Sequence, residues 1–350
     1  MGGRCSLPPG VWLVVTGAVV CYLTILYGRN SAHSHHKPPA QECRGRMREA
    51  TALLERLHGS VERLPGDVLE VDLTKASWRP WEADQDKRCS TYETRFGRGL
   101  TPALLVSAPC SGSNWLRYLL EGATGFFIGS SYNDTILYEA GFLGEMDGMD
   151  GGRTIMQRTH GPAFYPTYIH DLQDRHEHIN SSLPTVLLLR DPARTIISYW
   201  KLFNLEGSNK HLDEIPAARF QGKDFHDFVS EVTSLWEELA ADRLLWCSGP
   251  LYVIHYDDLL RHPIYHLRLL LRFLRIPVDE GRLFCLSKHI DGSLKRTTTT
   301  RTIDPFTEDE KKMFANVVRR INRLLLVLGY PQLQTNDYTT HAKLPTAPGQ

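Results

Sequence analysis

The sequence predicts an α/β protein: a three-layer α/β/α sandwich around a central parallel sheet, preceded by a single transmembrane helix. Three observations carry this expectation. Short apolar runs without alternation recur down the chain, among them Ala103–Ser107 (ALLVS), Thr185–Leu189 (TVLLL) and Leu251–His255. Such runs suit strands covered on both faces. Segments of helical periodicity separate them, as crossover connections require. One long uncharged run, Val11–Tyr27, lies near the N-terminus. At about 1.5 Å per residue it matches a thin bilayer.

The elements follow in order. Residues 1–10 form a short tail, and 11–27 form the anchor, with Trp12, Tyr22 and Tyr27 as interfacial rings. The run is longer than the apolar stretch of a usual signal peptide, and no A-x-A site follows it closely. Residues 28–100 read as a stem, with Leu53, Leu54, Leu57 and Leu64 at helical spacing over 46–64 and Pro65-Gly66 as a stop. The compact domain is expected over 101–334. After the strand at Ala103 comes a helix over Trp115–Glu121, then a short strand at Thr154–Met156 and the strand at Thr185. A helix runs from Asp191-Pro192 to Trp200, and an amphipathic one over Phe225–Trp246. The strand at Leu251 precedes helices over Tyr265–Leu274 and Phe306–Leu328, and 335–350 is a Thr/Pro-rich tail.

Composition narrows the function classes. The chain has 350 residues, 42% hydrophobic and 23% charged, which excludes a largely disordered chain. Forty basic and forty acidic residues give a net charge of +0, so no nucleic acid is bound by bulk charge and any anion site is local. The sequons at Asn133 and Asn180 would place the main domain in a lumen if either carries glycan. Beyond the anchor lie Cys43, Cys89, Cys110, Cys247 and Cys285. That odd set leaves at least one outside any intrachain pair, with Cys247–Cys285 as a candidate pair. His170, His176 and His178 match no closed zinc spacing, so no metal is expected.

The chemistry-bearing motifs sit where strands end. Ser107-Ala108-Pro109-Cys110-Ser111-Gly112-Ser113-Asn114-Trp115 joins the first strand to a helix. A small, Gly/Ser-rich turn there presents backbone N–H groups to an anion, and the helix dipole adds to the attraction. Ser111, Ser113 and Asn114 would add side-chain donors. The Lys of a nucleoside triphosphatase loop is missing. Arg190 ends a strand, and Ser198 follows two helical turns later, a second anion-binding arrangement suited to a guanidinium fork. His160, with Arg158 two residues before it, ends the strand near Thr154; a neutral-range imidazole suits a general base.

These residues carry a resemblance. PCSGSNW resembles the PKSGTTW loop of the sulfotransferases, which binds the 5′-phosphosulfate of 3′-phosphoadenosine 5′-phosphosulfate (PAPS), and Arg190…Ser198 is similar to that family's 3′-phosphate site. The resemblance implies the P-loop-like sulfotransferase fold and PAPS as co-substrate. It implies that Cys110, Ser111, Gly112, Ser113, Asn114 and Trp115 line the nucleotide, with Trp115 stacking on adenine. Arg158-Thr159-His160 resembles the family's K-[ST]-H, which implies a catalytic His160 and an Arg158 that stabilises sulfuryl charge. Tyr256-Asp257-Asp258-Leu259 resembles Y-E-D-L, whose Tyr reaches adenine. Asp291-Gly292 with Lys295 and Arg296 looks like a nucleotide-closing loop.

Cys110 departs from the pattern, because it replaces a loop Lys whose loss typically costs about 10²–10³ in rate. The sialate O-sulfotransferases that carry WSC domains, which this chain resembles, also lack that Lys. No WSC module is expected within the stem, which carries only Cys43 and Cys89. The implied function is a Golgi type II membrane enzyme acting on a glycan acceptor, with sialic acid as a candidate; cleavage at the anchor would make it secreted. The alternative is a noncatalytic, membrane-tethered protein that keeps the fold. Oligomeric state is left open.

Overall fold

The structure is a computed structural model that describes residues 69–100, 103–148, 151–164, 182–204, 216–292 and 304–334. These lie in one compact unit, Ser60–Gln350; a second, Met1–Gly59, is outside the described residues. The expected anchor at Val11–Tyr27, the stem helix at 46–64, Asn180, Lys295 and Arg296 also fall outside them. Among the described residues, no helix is long and apolar enough to cross a membrane.

Strand β1 (Glu70–Val71) is followed by helix α1 (Lys87–Ser90) and by β2 (Gly97–Arg98), which pairs antiparallel with β1. Then come β3 (Ala103–Ser107), α2 (Ser113–Thr124), β4 (Gly129–Ser130), α3 (Thr135–Glu139), β5 (Met156–Thr159) and β6 (Thr185–Leu189). Helices α4 (Pro192–Asn204) and α5 (Lys223–Trp246) lead to β7 (Leu251–His255). The chain continues through α6 (Tyr256–Arg261), α7 (Pro263–Phe273), α8 (Glu280–Lys288) and α9 (Glu308–Val327).

The main sheet is five-stranded and parallel, in the order β4-β5-β3-β6-β7. All residues of β3 and β6 are buried, as the unbroken apolar runs predict. On one face Leu105, Met156, Val186, Leu188 and Ile254 pack with α2, α7 and α8. Helix α2 supplies Leu116, Leu119, Leu120 and Ala123, spaced along one helical stripe. Helix α5 touches β6 and joins α4 and α9 through Ile196, Trp200, Val229, Val232 and Phe314. Helix α9 starts with a capping box in which Thr307 and Glu310 bond reciprocally.

Three expectations change. The strand near Thr154 is displaced to Met156–Thr159. Residues 69–100, expected as stem, join the core: Trp81 and Cys89 are buried in it. Cys285 pairs with Cys89, 196 residues away, and so not with Cys247. The pairing ties the approach segment to α8, because α1 and α8 pack together.

The order of strands fixes where a ligand can enter. The chain leaves β3 toward β5 and β4 on one side, then returns to β6 and β7 on the other. Open α/β sheets bind ligands at the carboxyl ends of strands where the winding reverses. Here that point is the turn after Ser107.

Candidate functional site

The turn between β3 and α2 is curled by two left-handed residues, Cys110 (φ 59) and Gly112 (φ 96). A Cβ on Gly112 would lie 2.5 Å from Cε2 of Tyr256, so bare backbone is required beneath that ring. Gly112 caps α2 with no side-chain hydrogen bond. The N–H groups of the first turn and the helix dipole therefore keep their anion-binding capacity. The side chains contribute less than expected. Ser111 and Ser113 are buried, and the Ser111 hydroxyl lies 3.4 Å from that of Thr195. Asn114 has a buried Oδ1 with no hydrogen-bond partner among the described residues.

Arg190 lies just past β6. Its Nη1 donates to the Cys110 carbonyl at 2.7 Å and to the Ser198 hydroxyl at 3.2 Å. The guanidinium carbon sits 4.7 Å from the centre of the Tyr256 ring. Burial lowers the pKa of Arg190 from its ordinary value. Its Nε is buried without a hydrogen-bond partner among the described residues. An unsatisfied buried donor on a cation is costly, and an anion would relieve it. Trp115 and Tyr256 form an aromatic corner beside this group, with ring centres 6.0 Å apart at 65°. Trp115 Nε1 donates to the Ile290 carbonyl at 2.8 Å, which ties α2 to the segment that leads toward Lys295 and Arg296.

His160 immediately follows β5. Its Nδ1 lies 2.8 Å from the Ser107 carbonyl, the last residue of β3. A carbonyl only accepts, so the neutral ring carries its proton on Nδ1 and a lone pair on Nε2. Surrounding protein and the Arg158 charge push the imidazole pKa down to about 3. The ring is neutral at physiological pH, as a general base must be, but in these surroundings it is a weaker base than the neutral-range imidazole expected from the sequence.

Arg158 is placed differently from a cation facing the transferring group. It is 5% exposed. Its Nη2 donates to Ser130 at 3.1 Å and to Glu145 at 3.0 Å. Glu145 also pairs with Arg117, whose Nε reaches Glu121 at 2.9 Å. Burial works to raise Glu145, but the two guanidiniums overcome it and hold the carboxylate below its usual value. Glu121, Glu145 and Tyr132, which stacks on His160, were not among the expected site residues. Asn133 is exposed, as a glycosylation acceptor must be. Among the described residues, no group of three or more His, Cys, Asp or Glu side chains is arranged to hold a metal ion.

Three chain segments thus meet at one sheet end. The β3–α2 turn is joined to Arg190 through the Cys110 carbonyl and to His160 through the Ser107 carbonyl. An anion cradle and a neutral imidazole side by side suit group transfer from an anionic donor to a hydroxyl.

A sulfotransferase-domain profile matches residues 167–313, which include Arg190 and Ser198. WSCD family member CG9164 of Drosophila melanogaster is 32% identical over 234 residues, 64% of this chain and 67% of that protein. WSCD family member GA21586 of Drosophila pseudoobscura pseudoobscura is 33% identical over 213 residues, 58% of this chain and 60% of its own length. The chain spans about 60% to 67% of the length of these relatives. Among solved structures, mouse sulfotransferase SULT7A1 complexed with PAP has 15% identity and a TM-score of 0.37, covering 63% of this chain and 84% of its own. A sulfotransferase from Alicyclobacillus acidocaldarius has 16% identity and a TM-score of 0.35, covering 66% and 96%. Both likenesses are too loose to add to the fold described above. The relatedness is carried by the curated proteins: the chain belongs to the WSCD family, and part of it matches the sulfotransferase-domain profile.

Proposed function

We propose that this protein is a PAPS-dependent sulfotransferase that acts on a carbohydrate hydroxyl, with sialylated glycans as the candidate acceptors. The observation that carries the reading is the hydrogen-bonded junction of the β3–α2 turn, Arg190 and His160. The residues fit the nucleotide: an uncapped helix start, a buried Nε on Arg190 and a glycine that lets Tyr256 close over the turn. PAPS supplies the transferable sulfuryl group. The turn N–H groups would hold its 5′ end, Arg190 and Ser198 its 3′-phosphate, and the Trp115–Tyr256 corner its adenine. Lys295 and Arg296 would close over it. His160 Nε2 would take the proton from the acceptor hydroxyl, while Nδ1–H stays on the Ser107 carbonyl. Arg158, matched by Glu145, would act by its field on the reaction centre. No step requires a metal.

The setting we propose is the Golgi lumen, with Val11–Tyr27 as a single type II anchor. The Cys89–Cys285 disulfide supports an oxidising compartment, and the exposed Asn133 supports glycosylation. A second reading, a noncatalytic nucleotide-binding protein, is favoured by Cys110 in the place of the loop Lys. Transfer of labelled sulfate from PAPS by the purified full chain separates the two. The acceptor is a sialylated glycoprotein before and after sialidase, with His160→Ala as control. Transfer abolished by both treatments supports enzyme and acceptor together. Transfer that survives sialidase moves the acceptor elsewhere, and nucleotide binding without transfer to a wider glycan panel supports the second reading.

A further inference from the structure

We propose that Tyr132 is a positioning residue for His160, and that the buried Glu145–Arg158 pair holds Tyr132 in place. The proposal rests on the reading of His160 as a base. Tyr132 grips His160 twice. Its ring stacks on the imidazole, with centres 4.9 Å apart and planes at 29°. Its hydroxyl accepts the His160 backbone N–H at 2.5 Å. The Ser107 carbonyl fixes the imidazole at Nδ1, while the Tyr132 ring covers one face of it, excludes water from that side and opposes any outward swing of the side chain.

Tyr132 lies two residues beyond β4, on a short segment fastened from below. Ser131 N–H donates to the Arg158 carbonyl at 3.3 Å. Tyr132 N–H donates to the Ser130 hydroxyl at 3.3 Å. Asp134 N–H donates to Glu145 Oε1 at 3.3 Å. Asn133 makes the reversal with φ 51. The Arg158 guanidinium lies 5.1 Å from the centre of the Tyr132 ring, and its Nη2 is fixed by the same Ser130 and Glu145. One buried carboxylate therefore sets both the cation under the tyrosine and the backbone that carries it. Tyr132 is 37% exposed, so its ring lies at the solvent side of this arrangement. Among the described groups facing the imidazole, Arg158 from β5 carries charge, Ser107 from β3 offers its carbonyl, and Tyr132 offers its ring.

The test is the titration and tautomer of His160 in ¹⁵N-histidine-labelled full-length protein, followed by long-range ¹H–¹⁵N spectra. His160→Ala assigns the signal. Wild type is expected to stay neutral with Nδ1 protonated down to pH 5. Tyr132→Phe, which keeps the stack and loses the hydroxyl acceptor, is expected to fall between wild type and Tyr132→Ala. In Tyr132→Ala, the midpoint should rise by at least one unit toward the unperturbed value near 6.5. Melting temperature should fall only modestly, since the residue is partly exposed. With PAPS and an acceptor, Tyr132→Ala should lower kcat roughly tenfold to hundredfold, the cost of a misplaced group, and leave KM for PAPS unchanged. An unmoved titration in Tyr132→Ala overturns the proposal, as does an equal effect of Tyr132→Phe and Tyr132→Ala. A shifted titration in a protein that transfers no sulfate upholds Tyr132 and refutes the base.

Discussion

Arg190 and Ser198 offer the sharpest test of the anion site, because the structure says which donors are left for a ligand. Nη1 of Arg190 is committed to the Cys110 carbonyl and the Ser198 hydroxyl. The buried Nε is without a partner among the described residues. One charge-assisted hydrogen bond from it contributes roughly 1.5–3 kcal/mol, which is about 10–150-fold in affinity. The Ser198 hydroxyl, a neutral donor to an ionised phosphate, falls in the same range of roughly 1.5–3 kcal/mol, toward its lower end. The assay is calorimetric binding of 3′-phosphoadenosine 5′-phosphate and of adenosine 5′-phosphate, which differ only in the 3′-phosphate. Wild type should prefer the bisphosphate. Ser198→Ala should narrow that preference and keep affinity for the monophosphate. Arg190→Lys retains charge but loses the fork. It should erase most of the preference and also weaken both ligands, because the contact to the Cys110 carbonyl goes with it. A preference unchanged in both variants would mean that the pair braces the turn and reads no phosphate.

Other outcomes follow from the same contacts. The Cys89–Cys285 bond closes a separation of 196 residues, for which chain entropy sets an upper figure of about 5 kcal/mol. The Cys89→Ala, Cys285→Ala double variant should lose about 2–4 kcal/mol in urea unfolding, and an unchanged midpoint would refute the linkage. Glu145→Gln leaves Arg117 and Arg158 facing a neutral amide in the interior, at a cost of about 3–5 kcal/mol by urea unfolding. His160 has a folded pKa of about 3 against an ordinary 6.5. Between those values the unfolded chain binds the extra proton, so His160 is neutral in its effect above pH 6.5 and destabilises progressively as pH falls toward 3. Urea midpoints measured across that window should fall less steeply in His160→Ala. The acidic limb of the wild-type pH–rate profile should lie well below pH 6.5.

The parts of the fold legible in the sequence are those where burial leaves no choice. Strands β3, β6 and β7 lie where their apolar runs lie, because a parallel strand between two helical layers has no polar face to confuse the pattern. Strand β5 was displaced for the opposite reason. Gln157, Arg158 and Thr159 are polar yet buried. Gln157 Nε2 donates to the Asp147 carbonyl and to Thr154, and Arg158 Nη2 donates to Glu145 and Ser130. Polarity matched by distant partners reads as exposure until those partners are seen. The approach segment was missed likewise, since Trp81 and Cys89 are too sparse to announce a core contribution.

The site divides along the same line. Short motifs specify what acts through local backbone: the turn with Gly112, the Arg190…Ser198 spacing along one helix, and a histidine at a strand end. What tunes those groups comes from separate segments. His160 is held by Ser107 of β3, covered by Tyr132 after β4 and repelled by Arg158 of β5. Arg158 in turn is held by Glu145. Glu145 stands in a Gly-Phe-Leu-Gly-Glu stretch whose residues give no sign of chemistry; its role exists only once α2 and β5 bring two arginines to it. The same logic bears on Cys110. Its carbonyl, which any residue supplies, receives Arg190, so the turn keeps its link to the anion site whatever the side chain. If the chain transfers sulfate as proposed, Cys110 in place of a loop Lys takes a charge from the transferring group and leaves the backbone link intact, and the cost should fall on rate more than on nucleotide affinity.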